Sequence, residues 1–531
     1  VTPTSPLTLD GHSLTLEDVL AVARERRRVA LAPAARERML ASRAYVESLL
    51  APNAPPVYGI NTGFGIFADR SVSPEDSARL SRNLILSHSV GVGEPLAEDA
   101  VRAAMLIRAN TLALGYSGVR PEIVDTLLAL LNAQVYPLIP EQGSLGSSGD
   151  LAPLCHLALT FTRDDEDRDS DSGAVIYNRQ RMSGRAALEA AGIPRLILSA
   201  KEGLALSNGA TFSAALAALA VADAENLIRN GEVATALVLE ALLGVSNAFD
   251  ESLHAARRQT GQQTVAAHLR ALISGSTFID AAGRVQDPYS LRCAPQILGP
   301  IYDTLALLRG WVENELNAAT DNPLIFSDSS STMRAISGGN FHGEVLGLAM
   351  DYLGIAFAEA GALAERQIDR LVNDKHSYGL PPMLVNGPEA AGLNSGLMMP
   401  HYTAVSLVLE NQTLAHPDSV HSLPTSAGQE DHNANSLTAA RHARQILENL
   451  TTIMAIEFLA ATQAMELRRG LMLEAHWAPA TAAAHARIRQ AVPFIEADRL
   501  MQLDLERLRT LVRDGEIVRA ADFRSNQTRV K

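Results

Sequence analysis

Three glycines and three serines fall within the seven residues Gly143-Ser144-Leu145-Gly146-Ser147-Ser148-Gly149, and the string runs on into Asp150-Leu151-Ala152-Pro153-Leu154-Cys155-His156. Glycine opens backbone bends that are closed to residues carrying a Cβ, and Asp followed by Leu, Ala and Pro reads as the start of a helix. In such a bend the Gly149 amide nitrogen can attack the Ser147 carbonyl carbon. Loss of water from Ser148 then leaves a five-membered ring with an exocyclic alkene, an electrophile made without an added cofactor. A Gly/Ser cluster also reads as a plain turn or an anion-binding helix N-terminus. No Gly-Lys-Ser/Thr follows, so a phosphate loop does not fit.

Other residue types with chemical capacity are spread along the chain. Tyr58 stands among Gly59, Gly63 and Gly65 in a loop at 51–69, where mobile backbone can bring a phenol to a ligand. His88 closes an expected helix and alone reads as a histidine near free carbonyls. Asn208 precedes Gly209 in a turn or cap. In Gln286-Asp287-Pro288-Tyr289-Ser290-Leu291-Arg292 a phenol and a guanidinium are one helical turn apart, and the planar fork of Arg matches both oxygens of a carboxylate. Phe341 follows Gly338-Gly339-Asn340 as the single aromatic of a loop. Gln429-Glu430-Asp431-His432 offers metal-ligand types, but the spacing is not that of a helical zinc site, and no metal is expected.

Helices must position these groups. The chain has 531 residues, 47% of them hydrophobic and only 5% aromatic, and its Ala and Leu runs favour helix over strand. A short strand or turn around 7–11 precedes expected helices over 16–26 and 33–50, with Thr15-Leu16-Glu17-Asp18 as a capping box. Further helices are expected over 74–88, with Ser73 as N-cap and Pro74 at the first position, then 98–114, 121–133 and an Ala/Leu-rich stretch to 243. A Ser-rich turn follows Leu324, and apolar residues at three- and four-residue steps predict long helices over 344–371, 394–414 and 433–468. Helices over 475–492 and 497–514 complete the chain. The acidic run 163–172 lacks apolar period and calcium-loop spacing, and reads as a solvated, disordered surface insertion.

The formal net charge of −14 argues against a nucleic-acid surface. Cys155 and Cys293 are expected to be reduced thiols of a cytoplasmic protein. The N-terminal residues carry no signal-peptide pattern. No membrane span is expected: the longest apolar run, 212–222, is interrupted by Ser213 and closed by Asp223, well short of the roughly 20 residues a span needs.

Six segments, in order from Tyr58 to His432, resemble the signature segments of the aromatic amino acid ammonia-lyases. The resemblance covers residues 10–500 or so and points to the histidine-specific branch through Ser87-His88 and Glu430, where phenylalanine-specific members carry Phe-Leu and Gln. It implies an all-α fold of the fumarase/aspartase-like superfamily: a smaller N-terminal part at 1–200 bearing the Tyr and ring-forming loops, and a bundle of long antiparallel helices with a C-terminal tail at 201–531. It also implies a homotetramer with active sites drawn from three subunits. The implied activity is deamination of L-histidine to trans-urocanate and ammonia. The prosthetic group would be 4-methylidene-imidazol-5-one (MIO), formed autocatalytically from Ser147-Ser148-Gly149 with no metal or external cofactor. By the same resemblance Tyr58 is the β-proton acceptor, Arg292 holds the carboxylate, and Tyr289, Asn208 and Gln286 steady the adduct. Phe341 packs on substrate, and His88 and Glu430 select imidazole. The chain departs from the family pattern at Ser147, usually Ala, at Ser207 and at His401. An aminomutase that returns ammonia to the β-carbon, and an MIO-free relative that binds an imidazole compound, remain as alternatives.

Overall fold

The computed structural model describes residues 5–51, 53–67, 69–327 and 332–522. Readings that rest on residues 1–4 and on the serines of 328–331 lie outside these. Helices carry the fold, as an all-α protein requires, and the described strands form five small sheets of two or three strands each. The helices that matter for the site are α1 (Ser77–His88), α2 (Glu98–Ala113), α3 (Leu151–Phe161), α4 (Thr211–Ala241), α5 (Ala294–Leu316), α6 (Glu344–Val372), α7 (Met398–Leu414) and α8 (Ser436–Leu471).

Local chemistry sets many of their ends. Thr15 and Asp18 form the expected reciprocal capping box. Ser73 accepts from the Asp76 N–H, although it caps a short 3₁₀ turn, Pro74–Asp76, that leads into α1 rather than one continuous helix. The helix Pro121–Ala133 ends where Gln134 turns left-handed at φ 59°. α8 begins later than the 433 expected because Asn435, at φ 49°, donates its side-chain amide to the carbonyls of Asp418 and His421. Pro300 lies inside α5 and obscures its periodicity in sequence.

The chain forms two compact units, each discontinuous in sequence. The first comprises Val1–Ala220, Arg309–Asp351 and Pro417–Arg441. Here α1 packs on α3, buried Arg102 donates to the carbonyls of Val22 and Ala23, and the Asn110 amide donates to Leu316 O at 2.9 Å. The second comprises Val221–Leu308, Tyr352–His416 and His442–Lys531. In it Arg468 donates to the carbonyls of Ala241, Tyr378 and Ser377, and the Asn449 amide donates to Asn411 Oδ1 at 2.8 Å.

Two expectations are corrected. The acidic run 163–172 is solvated as expected, with Asp165, Glu166, Arg168, Asp169 and Ser170 exposed, but it is folded rather than disordered. Asp167 pairs with Arg195, and Arg82 donates to Thr162 Oγ1 at 3.0 Å and to Asp171 O at 2.6 Å. Both arginines are buried, so the acidic segment neutralises cations that sequence spacing does not bring near it. The second correction concerns apolar length: α4, α6 and α8 are long and apolar enough to cross a membrane by length and composition. Their apolar windows are mostly buried within the protein. An unbroken run understates them because single polar residues interrupt an otherwise apolar helix.

His401, one of the departures from the family pattern, has a defined partner: its Nε2 lies 2.8 Å from Glu365 Oε1, and Arg366 also donates to that carboxylate. In the first unit Lys201 Nζ donates to Asp321 Oδ2 at 2.5 Å, both side chains being fully buried. Burial pulls the Lys201 ammonium below its usual range, against the pull of the Asp321 charge. Removing one member strands the other, at a cost of about 3–5 kcal/mol. Lys201→Met is therefore expected to lower the unfolding free energy measured in urea by that much, with Asp321→Asn added to it recovering part of the loss.

Candidate active site

The loop 143–150 is held from several directions in the first unit. Leu145 O accepts from the Ala434 and Asn435 N–H groups, and Gly146 O accepts from Gly343 N–H. Ser148 O accepts from Gly209 N–H at 3.1 Å and from Asn208 Nδ2 at 2.8 Å. Asp150 N–H returns a bond to Gly209 O at 2.9 Å. Gly149 sits at φ +80°, and a Cβ there would lie 2.0 Å from the Gly209 carbonyl carbon. Only glycine fits at this position.

Asp150 stands at the start of α3, as its sequence context predicts, but it makes no cap bond to that helix. Its fully buried carboxylate instead accepts from Ser144 Oγ at 2.8 Å, Ser213 N–H at 2.7 Å and Ser213 Oγ at 2.9 Å. The loop is thereby tied to the first turn of α4. Burial raises the Asp150 carboxyl above its usual range, and the three donors work against that rise. Arg108, fully buried, donates to Asn208 O and is brought down to about 10 by burial.

The loop forms one wall of a cavity of about 1050 Å³. Tyr58, His88, Ser147, Ser148, Asn208, Phe341 and Glu430 all line it. Gly149 contributes backbone behind Ser148. Gly65 N–H donates to Tyr58 Oη at 3.2 Å. Burial lowers His88 below its usual range, the Leu84 carbonyl and the Glu430 charge opposing the shift. Its Nδ1 lies 2.9 Å from Ser87 Oγ, so a neutral imidazole faces the cavity. Glu430 is carried on a tight turn, Thr425 N–H donating to Glu430 O at 2.8 Å, with Ser426 and Ala427 both at positive φ. Its carboxylate accepts from Ser147 Oγ at 2.7 Å and Ser148 Oγ at 3.0 Å.

Gln286, Tyr289 and Arg292 belong to the second unit and are not among the lining residues. Gln286 and Tyr289 are exposed. The Arg292 guanidinium lies 4.7 Å from the centroid of the Tyr289 ring, and its Nε is buried without a partner. Asp287 holds this segment by accepting from Val245 N–H at 2.6 Å and from Arg284.

Several lining residues carry no role in the sequence reading. Leu80, Asn83 and Leu84 join Ser87 and His88 on one face of α1, a three- and four-residue spacing that sequence could have offered. Asn322 lines the cavity too; it donates to Ser337 Oγ at 3.0 Å and accepts from Gly338 N–H at 2.7 Å. It pins the loop that carries Phe341, which no local pattern announces. Among the described residues no group of three or more His, Cys, Asp or Glu side chains could hold a metal ion.

The aromatic amino acid lyase family matches residues 14–490. The chain belongs to that family. It is 48% identical to the histidine ammonia-lyase of Anaeromyxobacter sp. strain K over 514 residues, covering 96% of this chain and 99% of the relative. Among solved structures, histidine ammonia-lyase from Trypanosoma cruzi superposes with a TM-score of 0.88 at 38% identity, covering 97% of this chain and 95% of that one. Tyrosine aminomutase from Streptomyces globisporus superposes with a TM-score of 0.89 at 37% identity, covering 99% and 100%.

The residues at 147–149 fit an MIO ring. Gly149 is bent where a side chain has no room. Ser148 O, which closure would make the ring oxygen, already has two donors. Asn208 Oδ1 beside it is buried without a partner, leaving an acceptor for a bound amine.

Partial burial first, and the Asp150 carboxylate second, push Glu315 up to about 7. The folded state therefore holds a proton on Glu315 that the unfolded chain releases from about pH 4.5 upward. Stability from this group is fully present below that value and is lost as pH rises through about 7. Glu315→Gln is expected to flatten thermal stability between pH 5 and pH 8, with its gain over the native protein largest at pH 8.

Proposed function

We propose that the protein eliminates ammonia from L-histidine to give trans-urocanate. The observation that carries this reading is the Glu430 carboxylate, held against Ser147 and Ser148 at the wall of the cavity. A carboxylate beside the reacting loop suits a substrate ring with an N–H to donate. Membership of the aromatic amino acid lyase family supports a carbon–nitrogen lyase.

Ser147, Ser148 and Gly149 would form the MIO ring without metal or external cofactor, and the ring would supply an electrophile for the substrate amine. The chain's own residues do the rest. Tyr58 Oη takes the β-proton, and Gly65 N–H, donating to that oxygen, holds it in place for the transfer. Asn208 Nδ2 and Gly209 N–H polarise Ser148 O. Phe341 packs on the bound ring. Neutral His88 and Glu430 select imidazole, because a phenyl ring has no N–H to offer the carboxylate oxygen that faces the substrate. Arg292, with Tyr289 and Gln286, holds the substrate carboxylate and comes from a neighbouring subunit of a homotetramer. Free Cys155 and Cys293 suit a cytoplasmic enzyme.

An ultraviolet assay with histidine, phenylalanine and tyrosine at equal concentration should show urocanate forming fastest; dominant cinnamate or coumarate overturns the reading. Ser148→Ala should retain the full sequence mass, without loss of two waters, and lose nearly all turnover. Glu430→Gln should cut kcat/KM for histidine on the order of 100-fold and that for phenylalanine far less. The likeness to tyrosine aminomutase favours one rival, a β-amino acid product, which chromatography for β-histidine detects.

For the shared site, co-expression of Tyr58→Phe with Arg292→Ala, each inactive alone, should restore measurable turnover. Sites built within one chain would stay inactive in the mixture.

A further inference from the structure

Ser147 is the one residue of the ring-forming tripeptide at which this chain departs from the family pattern, and its hydroxyl has a specific partner. Ser147 is nearly buried, 5% exposed, and its Oγ donates to Glu430 Oε2 at 2.7 Å. Ser148 Oγ donates to the other oxygen, Oε1, at 3.0 Å. We propose that the Ser147 hydroxyl is a positioning group for Glu430, one that sets the carboxylate for the imidazole N–H of the substrate. The proposal rests on the role of Glu430 given under Proposed function.

The two hydroxyls have different fates. Ring closure joins Gly149 N to the Ser147 carbonyl carbon and releases two waters. One carries away the Ser147 carbonyl oxygen, the other Ser148 Oγ together with the Ser148 α-hydrogen. Ser147 Oγ takes part in neither loss. Closure therefore removes the donor on Glu430 Oε1 and leaves the donor on Oε2. One carboxylate oxygen stays anchored while the other is freed to accept a hydrogen bond from substrate.

A charge-assisted hydrogen bond of this kind is among the stronger ones available to a side chain. It also prevents rotation of a carboxylate that a turn with two positive-φ residues, Ser426 and Ala427, presents at the cavity wall. With Ala at 147, Oε2 loses this donor, and the carboxylate is free to turn away from the imidazole. The effect belongs to recognition of the ring, so it falls mainly on KM and requires the charge at 430.

The test compares Ser147→Ala, Ser147→Thr, Glu430→Gln and the Ser147→Ala/Glu430→Gln pair by intact mass and by urocanate kinetics. Ser147→Ala should lose two waters like the native protein and raise KM for L-histidine about tenfold, with a smaller change in kcat. Ser147→Thr, which keeps a hydroxyl, should restore KM. In the Glu430→Gln background, Ser147→Ala should add less than about twofold. A native KM in Ser147→Ala, or effects at 147 and 430 that simply multiply, overturns the proposal. Should Ser147→Ala fail to close the ring, calorimetry of L-histidine with Ser148→Ala and with Ser147→Ala/Ser148→Ala decides the matter. About tenfold weaker binding in the pair supports the proposal, and equal binding overturns it. Glu430→Gln that handles histidine as well as the native enzyme overturns the role of Glu430 itself, a result read independently of the Ser147 variants.

Discussion

Gly149 and Gly209 meet backbone to backbone, closer than any side chain would allow, and the rest of the site depends on that approach. It brings Asn208 and the Gly209 N–H onto Ser148 O and the Asp150 N–H onto Gly209 O. Two segments some 60 residues apart thus become one surface. The contact persists because Asp150 is fully buried and fully occupied, with Ser144 on one side and Ser213 on the other. A buried carboxylate with three donors is a costly group to disturb. It locks the loop to the start of α4.

Electrostatics then divides the carboxylates by their surroundings. Asp150 works as a strut, satisfied by hydroxyl and amide donors. Asp321 pairs with Lys201 in full burial. Glu315 has neither advantage and is pushed up to about 7. Glu430 is different again: it reaches the cavity on a short turn, its oxygens on two hydroxyls. An acceptor aimed at a cavity discriminates by what the ligand can donate, so a carboxylate there distinguishes imidazole from phenyl more sharply than shape does.

Much of this was legible in the chain. The capping box at Thr15, the N-cap at Ser73, the helix at 121–133 and the long helices rest on side-chain spacing and local hydrogen bonding, which sequence displays directly. The resemblance assembled Tyr58, His88, Ser147, Ser148, Asn208, Phe341 and Glu430 into one expected site, and these residues do line one cavity. Other features were hidden. Asp150 marks the start of α3 as its context predicts, but its side chain serves as a tertiary strut that no local pattern shows. The acidic run at 163–172 is solvated as expected, with Asp165, Glu166, Arg168, Asp169 and Ser170 exposed, but it looked disordered because Arg82 and Arg195, its neutralising partners, are remote in sequence. Asn322, which no local pattern singles out, holds the Phe341 loop.

The boundary between the two kinds of knowledge follows the range of the interactions. Sequence by itself determined the helical character, the positions of most turns and caps, and the chemical identity of the loop at 143–149, since each depends on neighbours within a few residues. Tertiary structure decided that Gly149 has no room for a Cβ, that Asp150 serves α4 rather than α3, and that the Ser147 hydroxyl finds Glu430. Each of these depends on groups 60 to 283 positions apart. Burial sets their energies, and burial is a property of the packed chain rather than of any segment within it.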